Sequence, residues 1–214
     1  MLEIARSWQV LRFGGPAIYP LLALAVLTAA IMIDKAYVYW RYAQPGTLLA
    51  RLVSRADSKW ADLEQQLAIA DPQHHFARFL RVIIQNRDEP AWWVNSRAGD
   101  EALEIEGSLA RGLWVLETIV TAAPLLGLLG TIYGMIHAFN LFGVHGLVDP
   151  KGVTSGVAQA LIATALGLLI ALVALFGFNY FSRLQARTLD RMERIGTRLL
   201  DRARMERRKA RVRP

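Results

Sequence analysis

The chain has no cysteine among its 214 residues, so disulfides and thiolate metal centres are excluded from its chemistry. Three long runs also lack any Asp, Glu, Lys or Arg: Phe13 to Ile33, Thr118 to Phe142 and Gly152 to Ser182. Each exceeds the roughly 18 residues that mark a spanning helix. None shows the strict alternation of a barrel strand, so a helix is the way left to satisfy the backbone in lipid. The runs contain no aspartate, and Ser155 and Ser182 sit at their edges, so the acid pair, serine–histidine pair or zinc set of an intramembrane protease is missing. The glycines from Gly127 to Gly134 lack a following Gly-Lys-Ser/Thr and form no phosphate loop. These absences point away from an enzyme, and no cofactor or metal is expected.

The predicted fold is an all-α integral membrane protein. It has three transmembrane helices, the second and third extending as long helices into the cytoplasm, and a small helical cytoplasmic segment. The division is 1–13 amphipathic and periplasmic, 14–36 first span, 37–114 cytoplasmic, 115–142 second span, 143–154 periplasmic loop, 155–182 third span and 183–214 basic cytoplasmic tail. Lysine and arginine near the spans set the orientation. The middle segment carries Arg41, Arg51, Arg55, Lys59, Arg78, Arg81, Arg87, Arg97 and Arg111, and the tail twelve more basic residues, whereas the 143–151 loop has only Lys151. Middle segment and tail therefore face the cytoplasm, and the net charge of +7 reads as retention of the tail rather than nucleic-acid binding.

The first run follows Arg6 and Arg12, as a secretory signal would, but it is longer than a signal core and has no clear cleavage site. Asp34-Lys35 and the aromatic group Tyr37, Tyr39, Trp40 and Tyr42 close it as an interfacial belt. Ahead of it, Ile4, Trp8 and Leu11 share one helical face, which fits a short surface helix or a frayed lead-in to the span. In the middle segment, apolar positions at helical spacing (Leu48, Leu49, Leu52 and Val53; Phe76, Phe79, Leu80, Ile83 and Ile84) are punctuated by Pro45-Gly46, Asp71-Pro72 and Glu89-Pro90. Two or three short helices packed on the long ones follow. His74-His75 has too few ligands nearby for a metal site and reads as a solvated loop. Residues 100–116 read as helix running without a break into the second span.

The second span carries Pro124, Gly127, Gly130 and Gly134 and a lone hydroxyl, Thr131, at mid-membrane depth. Ala123, Gly127 and Thr131 are spaced by four, as are Gly130, Gly134 and Ala138. The third span repeats the pattern in Gly156, Ala160 and Thr164 and in Ala163, Gly167 and Ala171. Small-xxx-small stripes let helix backbones approach closely, here within the chain and between copies of it. A threonine inside a membrane commonly bonds back to its own helix. Two of them, each ending a small-residue stripe and with Gln159 nearby, fit a shared polar lining. A proton path needs a group that titrates inside the membrane. None stands in the central part of any span, and His137 lies towards the outer end, so a second protein must supply the acid. Past the third span, Arg183, Arg187, Arg191, Arg194, Arg198 and Arg202 step by four, four, three, four and four along one helical face, beside an apolar stripe of Leu184, Met192, Ile195 and Leu199. This face is open to three readings: a solvated surface, a basic ring around a cytoplasmic vestibule, or contacts with anionic lipid heads.

The run Ala123-Pro124-Leu125-Leu126-Gly127-Leu128-Leu129-Gly130-Thr131-Ile132-Tyr133-Gly134-Met135 resembles the signature of the ExbB/TolQ/MotA proton-channel family. Gly156-Val157-Ala158-Gln159-Ala160-Leu161-Ile162-Ala163-Thr164-Ala165-Leu166-Gly167 resembles its second signature, and Gly14-Gly15-Pro16 with Tyr19-Pro20-Leu21-Leu22 the start of its first helix. The resemblance implies a pentamer around a central pore that holds the helices of an ExbD-like dimer, whose aspartate takes the proton beside Thr131 and Thr164. It further implies an inner-membrane complex that drives a TonB-like protein for uptake through outer-membrane receptors (iron-siderophore complexes, vitamin B12), or, in the TolQ type, a TolA-like protein for envelope maintenance. Three positions depart from the family pattern. Gln159 stands where some members carry glutamate, Val173 where a proline is usual, and Asp34-Lys35 where Glu-Arg is usual.

Overall fold

The computed structural model describes residues 16–43, 60–140 and 150–212, and every regular element among them is helical. In chain order these are α1 (Ile18–Val38), which runs into a π-helical turn (Tyr39–Ala43), α2 (Trp60–Ile69), α3 (His75–Gln85), α4 (Ala91–Ala110), α5 (Leu113–Asn140) and α6 (Pro150–Val212). Three stretches are long and apolar enough to cross a membrane, lying within Ile18–Ala43, Ala91–Phe139 and Thr154–Lys209. The amphipathic lead-in, Pro45-Gly46, the Leu48–Val53 cluster and most of the 143–154 loop lie outside the described residues.

The chain forms two compact units, one from residues 1–33 and 112–180, the other from 34–111 and 181–214. The first holds the apolar parts of α1, α5 and α6. Its core is Leu21, Ile119, Ala123, Ala163, Ile170, Ala171 and Ala174, with Leu24, Val120, Leu126 and Leu166 packed against it. Four of the seven core residues are alanines, while Leu125, Leu129, Ile132, Leu161, Leu169 and Phe176 point outward. That inversion of a water-soluble core is what a lipid solvent or a neighbouring apolar chain allows.

The second unit has a conventional core. Leu63 and Leu67 of α2, Phe76, Phe79, Leu80, Ile83 and Ile84 of α3, Val94, Ile105 and Leu109 of α4, and Met192, Leu199 and Leu200 of α6 are all buried. Gly196 of α6 admits α3 closely, since a Cβ there would stand 2.9 Å from Phe79 Cζ. Arg78 of α3 holds α4 through Glu101 (2.8 Å) and Glu104 (3.0 Å). Trp60 at the start of α2 donates to Glu206 of α6 at 2.6 Å, with the Arg202 guanidinium 4.7 Å above its ring. The short helices thus pack on a long one, as the punctuation by Asp71-Pro72 and Glu89-Pro90 implies.

Four expectations need correction. The first helix does not close at Asp34-Lys35 but continues through the turn to Ala43. The reason is burial. Lys35 is only 2% exposed, and Tyr39 is buried against Phe181, the rings 5.8 Å apart, so these two residues pack inside the second unit, whereas Tyr37 and Trp40 remain exposed. Second, the helix from 100 into the second span is broken at Arg111–Gly112. Gly112 takes φ +83°, the left-handed conformation in which glycine ends helices without a Cβ penalty. Third, α6 starts at Pro150, ahead of the expected 155. Proline suits a first helical turn because its missing N–H would be unpaired there. Fourth, His75 is not in a solvated loop. It opens α3 and is 7% exposed.

Candidate functional site

α5 and α6 meet along the small-residue stripes. A Cβ built on Gly127 would lie 3.0 Å from the Ala163 carbonyl oxygen and from Thr164 Cα. One on Gly130 would meet Ala163 Cβ at 2.7 Å, and one on Gly134 would meet Ala160 Cβ at 2.9 Å. From the other side, Gly156 faces Ala138 (2.7 Å) and Gly167 faces the Ala123 carbonyl oxygen (2.5 Å). The two helices are thus in backbone-to-backbone contact over some four turns, antiparallel, with 123–127 level with 167 and 138 level with 156. The stripes are consumed within the chain along this seam.

Pro124 lies inside α5, next to the carbonyl that Gly167 approaches. A proline inside a helix removes one N–H donor and crowds the preceding turn. The carbonyl that loses its helical donor is that of Val120, one turn back.

The two threonines behave differently. Thr131 is half-buried, and its hydroxyl donates to the Leu128 carbonyl of its own helix at 2.7 Å. Thr164 is also half-buried, but its hydroxyl crosses to the Gly127 carbonyl of α5 at 2.9 Å. That bond exists because Gly127 has no side chain: its bare backbone lies against Thr164. It is the polar tie between the two helices in the middle of the seam. Gln159 is half-buried on α6, one and a half turns from Thr164. A third hydroxyl escaped the sequence reading. Thr28 of α1 is buried and donates to the Leu24 carbonyl at 2.7 Å. Nothing in its local pattern distinguishes it from an ordinary apolar-run threonine.

In the second unit, Lys35 is a further residue whose role was not legible. Its ammonium donates to the carbonyls of Leu109 (3.0 Å) and Ser108 (3.5 Å), in the last turn of α4. Those carbonyls have no partner within the helix, and they form the negative end of its dipole. Lys35 therefore caps α4 where Gly112 turns the chain. His75 lies beside it, its ring 6.4 Å from that of Tyr42. Neither of its ring nitrogens has a hydrogen-bond partner among the described residues. Burial pushes its pKa down to about 4, helped by the nearby positive charge of Arg78, by His74 and by Lys35. It is a neutral packed imidazole. No cluster of three potential metal ligands occurs among the described residues.

Arg183, Arg187, Arg191, Arg194 and Arg198 of α6 are all exposed, and none forms an ion pair among the described residues. Arg202, the next in the series, departs from the stripe and turns to Trp60 and Glu206.

The seam residues fall inside the stretch 71–194 that matches the model of the MotA/TolQ/ExbB proton channel family. The chain belongs to that family. An ExbB-like biopolymer transport protein (ExbB-like 1) of Synechocystis sp. is 32% identical over 192 residues, which cover 87% of this chain and 74% of that protein. The biopolymer transport protein ExbB of Aquifex aeolicus is 38% identical over 80 residues, 37% of this chain and 54% of that protein. The Tol-Pal system protein TolQ of Haemophilus influenzae is 36% identical over 111 residues, 50% of this chain and 48% of that protein. The family is one of proton channels, and the three helices long and apolar enough to cross a membrane agree with it.

Proposed function

We propose that this chain is the proton-channel and motor subunit of an ExbB-type complex of the bacterial inner membrane, using the proton motive force to energise TonB-dependent transport across the outer membrane. The observation that carries it is the α5–α6 seam, with Thr164 bonded across it to Gly127 and Thr131 one turn farther along α5. Such a seam gives a rigid wall with a few hydroxyls and no charge of its own. A proton moving past that wall needs a titratable carrier. The carrier is the aspartate of an ExbD-like dimer held inside a pentamer of this chain, and a TonB-like protein takes up the motion. Each proton contributes about 2.3 kcal/mol per 100 mV of membrane potential. Thr131, Thr164 and Gln159 line the path, while Pro124, Gly127, Gly130, Gly134, Gly156 and Gly167 hold the helices that carry them. The basic residues of the middle segment and tail keep both in the cytoplasm, with the N-terminus and the 143–154 loop in the periplasm. The arginines from Arg183 to Arg198 serve a surface outside the chain in that assembly.

A second reading is a TolQ-type subunit of an envelope-maintenance complex, which the similarity to a Tol-Pal system protein favours. The neighbouring genes separate the two. An ExbD- and TonB-like pair supports the first, a TolR- and TolA-like pair the second. The test of the pore is Thr131→Val and Thr164→Val, each near-isosteric and stripped of the hydroxyl. Both variants are expected to assemble with the partner yet abolish energised uptake. Full uptake by both would remove these residues from the path.

A further inference from the structure

The second unit carries an apolar groove of about 530 Å³ between α4 and α6, floored by Phe79, Ile83 and Met192. Leu103 stands on its wall, 67% exposed. Two carboxylates rise from each bank, Asp100 and Glu106 from α4, Asp190 and Glu193 from α6. All four are exposed, none takes part in an ion pair among the described residues, and no Lys, Arg or His lines the groove with them. An apolar floor with a rim of one sign fits a helix with an apolar face and the opposite charge.

The chain itself presents such a face. Arg183, Arg187, Arg191, Arg194 and Arg198 are exposed on α6 with the partly exposed Leu184 and Ile195 beside them. At about 100° per residue, the centre of this stripe lies about 140° around α6 from the centre of the groove-lining positions Leu189 to Leu200. A helix cannot fold its far side into its own groove. Two different complementary patches on opposite sides of one element give a head-to-tail contact, which closes into a ring when the rotation permits, whereas a two-fold pair needs one self-complementary patch.

We infer that the acid-rimmed groove between α4 and α6 receives the arginine face of α6 from a second copy of this chain, and that this contact sets the head-to-tail packing of neighbouring subunits in the ring. The inference rests on the ring assembly proposed above and names its recognition surface. It places the arginines between subunits, away from both the central vestibule and the lipid heads. Four carboxylates meet five guanidinium groups at the rim while the apolar strip covers the floor.

The absence of native cysteine makes the test clean. The full chain carrying Leu103→Cys together with Arg191→Cys, expressed with its partner and treated in membranes with a mild oxidant, is expected to give a ladder of linked copies up to the ring. Each single variant is expected to give none. Charge exchange provides a second arm. Arg187→Glu with Arg191→Glu, or Asp100→Arg with Glu193→Arg, is expected to lose the ring on native mass spectrometry, and the four changes in one chain to recover it. A ring that persists without cross-links and tolerates both charge reversals overturns the inference and returns the arginines to vestibule or lipid. A wild-type chain that forms no ring overturns the assembly reading as well, a result distinguishable from the first.

Discussion

In the span-bearing unit, a Cβ added at Gly127, Gly130, Gly134, Gly156 or Gly167 would strike the facing helix, whereas Gly99 and Gly107 of α4 in the second unit have nothing within 4 Å. The second unit has a tight glycine of its own, Gly196 against Phe79, but those of α4 are open where every glycine of the seam is closed. Where the chain passes through lipid, burying a large apolar side chain between helices offers little, because the acyl chains are as apolar as leucine. Close backbone approach and a hydroxyl such as that of Thr164 do the joining. In the second unit Phe76, Phe79, Leu80, Ile83, Ile105 and Met192 are buried together, the arrangement that the hydrophobic effect favours, and Arg78 bridges Glu101 and Glu104. The contrast teaches that a glycine stripe is informative only when its solvent is known.

The sharpest way to break this comparison is Gly167→Ala. Its methyl would meet a backbone oxygen at 2.5 Å, which no side-chain rotation relieves. The helices must part, costing on the order of 1–3 kcal/mol, and the Thr164–Gly127 bond is lost with them. Thermal unfolding in detergent and assembly on native mass spectrometry should both fall. Unchanged values would mean that the seam is slack.

An effect of comparable size belongs to the second unit and to pH. His75 keeps a pKa of about 4 when folded and returns towards 6.5 when the chain unfolds. Between those values the unfolded state binds the extra proton, so stability is complete above about pH 6.5 and declines as the pH falls towards 4. From pH 7 to 4.5 the loss from this group is about 2–3 kcal/mol. Replacing the imidazole by His75→Leu should flatten that part of the melting-temperature profile. A profile of equal slope in both proteins would show that the ring is already hydrated or paired.

The smallest effect is Gly107→Ala. With open space at its Cβ position, the substitution should stabilise α4 by up to about 1 kcal/mol, the difference in helix propensity. The alanine change is thus expected to lower stability at Gly167 and raise it at Gly107. Equal signs at the two sites would erase the distinction drawn between the units.

Much of this is legible in the sequence. Three uncharged runs of sufficient length dictate three spanning helices, because lipid leaves no other way to satisfy the backbone. The spacing by four of Gly127, Thr131, Gly156, Ala160 and Thr164 announces close helix contact, and the order of motifs announces the family. What remained hidden depends on residues far apart in the chain. Whether the stripes join helices of one chain or of several is not a property of spacing, since either partner satisfies it. The pairing of Gly130 with Ala163 and of Gly156 with Ala138 decided it for this seam. Lys35 looked like an interfacial charge because its neighbours in sequence are aromatic, yet its partners, Ser108 and Leu109, lie more than seventy residues away. The break at Gly112 was equally silent, since a lone glycine between helical stretches is consistent with either continuation or a left-handed cap. Local periodicity sets which segments are helical and which face is small, because both follow from neighbouring residues and the solvent. Which carbonyl a buried lysine caps, which hydroxyl crosses to another helix and which histidine stays neutral are settled only when distant segments are brought together.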